Sequence, residues 1–315
     1  MRDHVLEVEE LHCSYGDFEA VRDVSFQVGK GELFALLGTN GAGKTTTMET
    51  VEGHRAPASG SVRVLGKDPF RQRREVRRHC GIMLQESGFA GDLTVLETIE
   101  LWRGMISRPS TVDEGLERLD LARRRDVRVK QLSGGEKRRL DLILATLGKP
   151  EVLFLDEPTT GLDPESRKAT WEVIRELLGE GTTVLLTTHY LEEAENLAHR
   201  LAIMHAGEIA VSGSLEEVLD RERAEISFDV PFGLDPANNL PTVGGEIDLD
   251  RLAAGRMHIR TRDLQRDLAA VMQWSSAYEA PLRRFRAHHA SLDDVFHGLV
   301  KQGSEIAGDD NKVVA

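Results

Sequence analysis

Residues 152–158 read Val152-Leu153-Phe154-Leu155-Asp156-Glu157-Pro158. Four apolar residues without polar alternation describe a strand buried on both faces, as in a parallel sheet, and two acids follow at its carboxyl end. Ligands of open α/β sheets bind at that end. One carboxylate there can hold a divalent cation, and a second can orient and deprotonate a water. Upstream, the apolar run Leu33 to Leu37 leads into Gly38-Thr39-Asn40-Gly41-Ala42-Gly43-Lys44-Thr45-Thr46. This fits the phosphate-binding loop G-x-x-x-x-G-K-[ST] in its proper context of strand, glycine turn and helix. Glycines let the backbone curl with its N–H groups inward, and the helix offers its positive N-terminus to the same anion. Lys44 would reach the β and γ phosphates and the Thr45 hydroxyl would ligate magnesium. Taken alone, the acids could be a solvated turn. Together the two stretches predict an α/β P-loop fold that hydrolyses ATP with Mg2+, with Asp156 on the metal and Glu157 on the attacking water.

From about Val5 to Leu219 the chain resembles the nucleotide-binding subunit of ATP-binding cassette (ABC) transporters. The resemblance rests on these motifs and on Leu132-Ser133-Gly134-Gly135-Glu136, which looks like the family's signature loop. Ser and two Gly ahead of an apolar-periodic helix expose N–H groups and a dipole to an anion. Glu136 departs from the family's commoner Gln, and an acid in a helix's first turn suits the dipole. The resemblance implies a RecA-like core with an N-terminal β region and a helical subdomain. It also implies four roles: Tyr15 as the aromatic under adenine, Gln85 near magnesium and the water, His189 at the γ phosphate, and Asp163 bridging two subunits. Singly, Tyr15 also reads as packing, Gln85 as a strand-end polar group and His189 as a cap. In that family the signature loop closes over ATP held by another subunit. With one phosphate loop and one signature loop per chain, two nucleotide-binding chains must meet. A homodimer is the simplest arrangement, because C2 symmetry supplies both sites at once; a heterodimer remains open.

Composition narrows the class. The chain has 315 residues and a formal net charge of −13, which disfavours a general nucleic-acid surface, since such binding relies on clustered Lys and Arg. No apolar stretch approaches the roughly 20 residues needed to span a bilayer, and Met1-Arg2-Asp3-His4 carries no signal-peptide pattern. A cytoplasmic chain, attached to the inner face of the membrane through separate multi-pass permease subunits, is therefore expected. Cys13 and Cys80 form no C-x-x-C pair and read as reduced packing residues.

Val24, Phe26 and Val28 alternate with Ser25 and Gln27 as a half-buried strand, and residues 86–149 carry helical periodicity, as in Leu140, Ile143, Leu144 and Leu147. Arg71, Arg73, Arg74, Arg77 and Arg78 surround Glu75 and Val76, reading as a solvated helix face or a contact to the membrane partner. The cassette is expected over residues 1–219, a small α+β module over 220–302 and a frayed polar tail over 303–315. In the module, Ala224 to Val230, Met257 to Thr261 and Leu282 to Ala287 suggest strands; Leu264, Leu268, Val271 and Met272 make a helical stripe. Ser291 precedes Asp294 as a capping-box-like helix start. His288 and His289 have no matching ligand set and read as surface histidines. The run Ser291 to Phe296 and the sequence Lys137 to Leu142 resemble the drug-resistance and polysaccharide export branch. That implies an exporter of an antibiotic, another amphipathic compound or a lipid-linked product. The alternatives are an ABC-type ATPase acting on ribosomes or DNA, or a regulatory cassette.

Overall fold

The computed structural model describes residues 4–85, 88–106, 109–230, 240–296 and 298–299. The expected tail at 303–315 lies outside the described residues. Two compact units divide the chain, Met1–Leu215 and Glu216–Ala315.

In the first unit, β1 (His4–Tyr15) and β2 (Phe18–Gly29) form a hairpin whose Gly16-Asp17 turn puts Gly16 at φ 59°. There follow β3 (Leu33–Gly38), α1 (Lys44–Val51), β4 (Ser59–Val64), α2 (Arg73–Val76), β5 (Cys80–Met83), α3 (Val95–Arg103), α4 (Val112–Arg118) and α5 (Gly134–Thr146). The unit continues with β6 (Val152–Asp156), α6 (Pro164–Gly179), β7 (Thr183–Thr188), α7 (Leu191–Leu197), β8 (Arg200–His205) and β9 (Glu208–Ser214). A short helix, α8 (Leu215–Leu219), begins at the division.

The strands make an antiparallel sheet in the order β2-β1-β4 and a six-stranded sheet in the order β5-β6-β7-β3-β8-β9, parallel except for β9. Every residue of β3, β6 and β7 is buried, as an unbroken apolar run in a covered parallel sheet requires. The core joins both sheets: Val8, Leu11, Val24 and Phe26 from the antiparallel sheet pack with Phe34, Leu36, Phe154 and the α1 residues Met48 and Val51. The Phe26 and Phe34 rings stack with centroids 5.0 Å apart. Because β5, β6, β7 and β3 run parallel, their carboxyl ends share one edge. That edge carries Gln85, Asp156, His189 and the loop after Gly38.

In the second unit, β10 (Ala224–Asp229), β11 (Glu246–Ile247), α9 (Leu249–Ala253), β12 (Arg256–Thr261), α10 (Leu264–Ala277) and β13 (Arg283–His288) build an antiparallel sheet in the order β11-β12-β10-β13. Ile226, Phe228, Met257 and Ile259 bury one face against Val271 and Trp274 of α10. Asp267, buried on α10, accepts the N–H groups of Gly244 at 2.8 Å and Gly245 at 2.9 Å, which holds the approach to β11. Near the end of the described residues, the Ser291 N–H donates to Asp294 Oδ2 at 2.9 Å, and Ser291 Oγ accepts from the Asp294 N–H at 3.3 Å.

Candidate functional site

The loop after β3 is built by close backbone approach. A Cβ on Gly38 would lie 2.6 Å from the Met204 carbonyl oxygen, and one on Gly43, at φ 100°, would lie 2.7 Å from that of Ala20. Only glycine meets both demands. Ala42 is buried, its N–H donating to the Thr39 carbonyl at 3.1 Å. Gly43 is the N-cap of α1 and no side chain caps that helix, so its first N–H groups face the loop interior. Lys44 is only 5% exposed. Its ammonium donates to the Gly38 carbonyl at 2.8 Å and the Thr39 carbonyl at 3.2 Å, and stands 4.0 Å from Glu157 Oε1. Burial pulls the Lys44 pKa down, and the Glu157 and Asp156 carboxylates oppose it.

A cavity of about 310 Å³ opens over this loop. Asn40, Gly41, Gly43, Lys44, Thr45 and Thr46 line it from the loop and α1, and Tyr15, Gln85 and Glu157 line it from elsewhere. Phe18 and Ala20, which the sequence reading did not single out, line it too. Tyr15 and Phe18 are opposed across the hairpin and both are exposed. The Arg55 guanidinium covers one face of the Tyr15 ring, 3.8 Å from its centroid, and the Tyr15 hydroxyl reaches Thr46 Oγ1 at 3.4 Å. A larger hollow of about 810 Å³ is lined by Glu114, Arg118, Glu180 and Thr183, at the amino end of β7, and by none of the residues in the phosphate loop. Volume alone therefore points away from the chemistry.

At the end of β6, Asp156 is 4% exposed and accepts a hydrogen bond from the Thr187 hydroxyl on Oδ1. Burial pushes its pKa up, and the Thr187 bond opposes this. Glu157 adopts φ 49°, a left-handed conformation rare outside glycine and disfavoured before proline. Its N–H donates to the Thr187 carbonyl at 3.1 Å. Its Oε2 accepts from Thr160 Oγ1 at 3.1 Å, and its Oε1 lies 3.2 Å from His189 Nδ1. The His189 ring leans on Tyr190 with centroids 4.1 Å apart.

Two further stretches stand outside the cavity lining. Ser133 caps α5 in a reciprocal box with Glu136: Ser133 N–H to Glu136 Oε2 at 2.8 Å, Glu136 N–H to Ser133 Oγ at 3.2 Å. Leu132 anchors the loop in the interior, and Gly134 is exposed. Arg124 pairs with Glu136 at 2.6 Å, so the acid in the place of the commoner amide has a cation of its own. A Cβ on Gly135 would touch Ser166. Ser166 in turn donates from Oγ to Asp163 Oδ2 at 2.7 Å, while Asp163 caps α6 by accepting the N–H groups of Glu165 and Ser166.

The oxygen donors Thr45 and Gln85, which line the cavity, and Asp156, buried at the end of β6, suit a hard cation such as Mg2+. Thr187, Thr160 and Arg138 also belong to the site, and no sequence motif marks them. Arg138 is nine-tenths buried and bonds to main-chain carbonyls of both Gln85 and Glu157.

Comparison with known proteins decides the family. Residues 21–160 match the ABC transporter family, and residues 224–291 match the C-terminal domain of ABC transporter domain-containing-like proteins. The Nod factor export ATP-binding protein I of Paraburkholderia xenovorans (strain LB400) is 36% identical, the alignment covering 94% of this chain and 97% of that protein. The chain belongs to the ABC transporter ATP-binding proteins. The daunorubicin resistance ATP-binding protein DrrA3 of Streptomyces coeruleorubidus is 35% identical over 99% of both chains, so the likeness to this ABC ATPase includes its second unit. Among solved structures, an ATP-binding subunit of an ABC transporter superposes with a TM-score of 0.63 at 29% identity, covering 69% of this chain and 92% of that one. A dimeric bacterial ABC transporter cassette shares the fold with a TM-score of 0.59 at 24% identity, covering 67% of this chain and 98% of that one. This chain is an ATP-hydrolysing ABC ATPase subunit, homologous to the ATP-binding proteins named for Nod factor export and daunorubicin resistance.

Proposed function

We propose that this ATPase works as a pair of cassettes beneath separate multi-pass membrane subunits, driving export of a drug-like or lipid-linked amphipathic compound. The observation that carries the pairing is that Ser133 to Gly135 sit outside the lining of the cavity that holds Lys44 and Glu157. Capped, glycine-rich and partly exposed, that loop is free to meet a triphosphate held by a second copy. Export of such compounds is supported by the end-to-end relatives, one a Nod factor export protein and one a daunorubicin resistance protein. No helix among the described residues is long and apolar enough to cross a membrane, which fits a chain docked at the cytoplasmic face through partner subunits.

In this reading Tyr15 stacks on adenine, while the N–H groups of residues 39–46 and the Lys44 ammonium hold the phosphates. Glu157 takes the proton of the attacking water, and His189 steadies both that carboxylate and the γ phosphate. Thr45, Gln85 and Asp156 would hold Mg2+, which supplies neutralisation of charge on the phosphates. Asp163 and the signature loop meet the partner cassette, and loss of the γ phosphate removes the contacts that keep the pair closed.

The test is to trap tagged Glu157→Gln chain with ATP in its host, solubilise the membranes in mild detergent and identify what co-purifies by mass spectrometry. A polytopic membrane protein is the expected partner. Ribosomal or DNA-bound partners without one would replace transport by another ATP-driven process. Light scattering of the same variant should show twice the monomer mass with ATP and the monomer with ADP.

A further inference from the structure

Arg138 lies one turn into α5, the helix that begins at the signature loop, and it is 8% exposed. A guanidinium has five N–H donors in a rigid fork. Here all five are directed at main-chain carbonyls. Nη1 donates to Leu84 at 2.8 Å and Gln85 at 3.0 Å, Nη2 to Asp156 at 2.8 Å and Glu157 at 2.6 Å, and Nε to Pro158 at 3.1 Å. Three successive carbonyls of that set bracket Glu157, the residue held at φ 49°. A backbone in such a sparsely populated conformation persists only when its surroundings over-determine it. The Thr187 carbonyl fixes Glu157 from its N–H, and Arg138 fixes it from its carbonyl. The other two carbonyls belong to the segment that delivers Gln85 to the nucleotide cavity.

We infer that Arg138 is a positioning residue that locks the signature helix, the Gln85 segment and the strained Glu157 backbone into one body. The inference rests on the pairing proposed above. In a pair, α5 reports on the nucleotide of the partner cassette through Ser133 to Gly135, whereas Glu157 acts on the nucleotide of its own. Arg138 is then a direct side-chain link between the two sites: a shift of α5 on closure is passed to the hydrolytic carboxylate without crossing a soft element. Lysine keeps the charge and cannot reproduce the fork, since an ammonium has three donors radiating from one atom.

The experiment compares full-length wild type and Arg138→Lys for ATP affinity by fluorescent-nucleotide titration, for kcat, for the Hill coefficient in ATP and for unfolding temperature. The expected variant binds ATP within about threefold of wild type while kcat falls about 100-fold, the scale of an ångström misplacement at a reacting centre. Its Hill coefficient falls to 1 where wild type exceeds 1. A kcat and Hill coefficient matching wild type would overturn the inference. So would a kcat loss that merely tracks lost affinity or lost fold, which marks a buried structural cation. Should the lysine variant fail to fold, Arg138→Gln, with two donors and no charge, repeats the comparison; failure of both to fold also overturns it. Wild-type protein with a Hill coefficient of 1, whose Glu157→Gln form stays monomeric with ATP, would instead refute the pairing. In that event the kcat comparison still decides whether Arg138 sets Glu157.

Discussion

His189 and Glu157 meet through one nitrogen and one oxygen: Nδ1 of the ring stands 3.2 Å from Oε1 of the carboxylate, while Thr160 occupies the second carboxylate oxygen from 3.1 Å. The carboxylate is thereby fixed on both sides and aimed into the cavity that Lys44 lines. Removal of its basicity in Glu157→Gln should lower single-turnover hydrolysis by about 10²–10⁴-fold, the range of a lost general base, with ATP binding retained. His189→Ala should lower it as well. Because the two act as a unit, the double variant should fall little further than Glu157→Gln alone. Multiplicative losses in rapid-quench assays would separate the two roles.

Lys44 contributes a buried charge to the floor of the same cavity, its ammonium occupied by the Gly38 and Thr39 carbonyls. A phosphate oxygen competes well for those protons, because a bond between ions is stronger than one to a neutral carbonyl. Lys44→Ala should therefore weaken ATP binding by about 10- to 100-fold, corresponding to one charge-assisted hydrogen bond. Unchanged affinity in a nucleotide titration would remove Lys44 from phosphate binding.

Phe18 is 65% exposed beside Tyr15, whose ring is backed on one face by Arg55. An aromatic left this exposed beside the cavity over the phosphate loop has an apolar face to give to a base. Phe18→Ala should cost about 1–3 kcal/mol of nucleotide affinity, the scale of one base stacked on one ring. ATP and GTP should lose similarly, since stacking tolerates any base. Wild-type affinity for both nucleotides would leave Tyr15 as the sole base platform.

The parallel sheet and its ligand edge are legible in the residues because Leu33 to Leu37, Val152 to Leu155 and Val184 to Leu186 are unbroken apolar runs, the first ended by Gly38 and the others by the polar Asp156 and Thr187. A buried parallel strand can be written in few other ways. The phosphate loop is legible because Gly38 and Gly43 answer to fixed close approaches. Arg138 is not legible, for its partners are main-chain carbonyls as far as 54 positions away and no residue type announces a backbone acceptor. Thr187 escapes notice for a related reason: within a buried strand its hydroxyl reads as β-branched filler until Asp156 is placed beside it. In the second unit, β11 has two residues, too few for any period to be read.

Glu193, fully buried on α7, gives a prediction with a definite sign in pH. Burial raises its pKa, and the neighbouring Thr188, Thr159 and Trp171 side chains and the charge of Arg167 oppose the rise. The folded chain therefore keeps this proton at a pH where the unfolded chain has released it. Stability falls with pH wherever the native state binds more protons, so the wild type should lose stability from the ordinary glutamate range up through the raised pKa. Glu193→Gln has no proton to release there, and its amide still accepts from Trp171 Nε1, which donates to Glu193 Oε1 at 3.2 Å. Urea titrations at pH 5 and pH 8 should show the difference between variant and wild type moving in favour of the glutamine as pH rises. A difference that stays constant, or moves toward the wild type, would mean that Arg167 and these side chains hold the ionised form in the native state as well as water does.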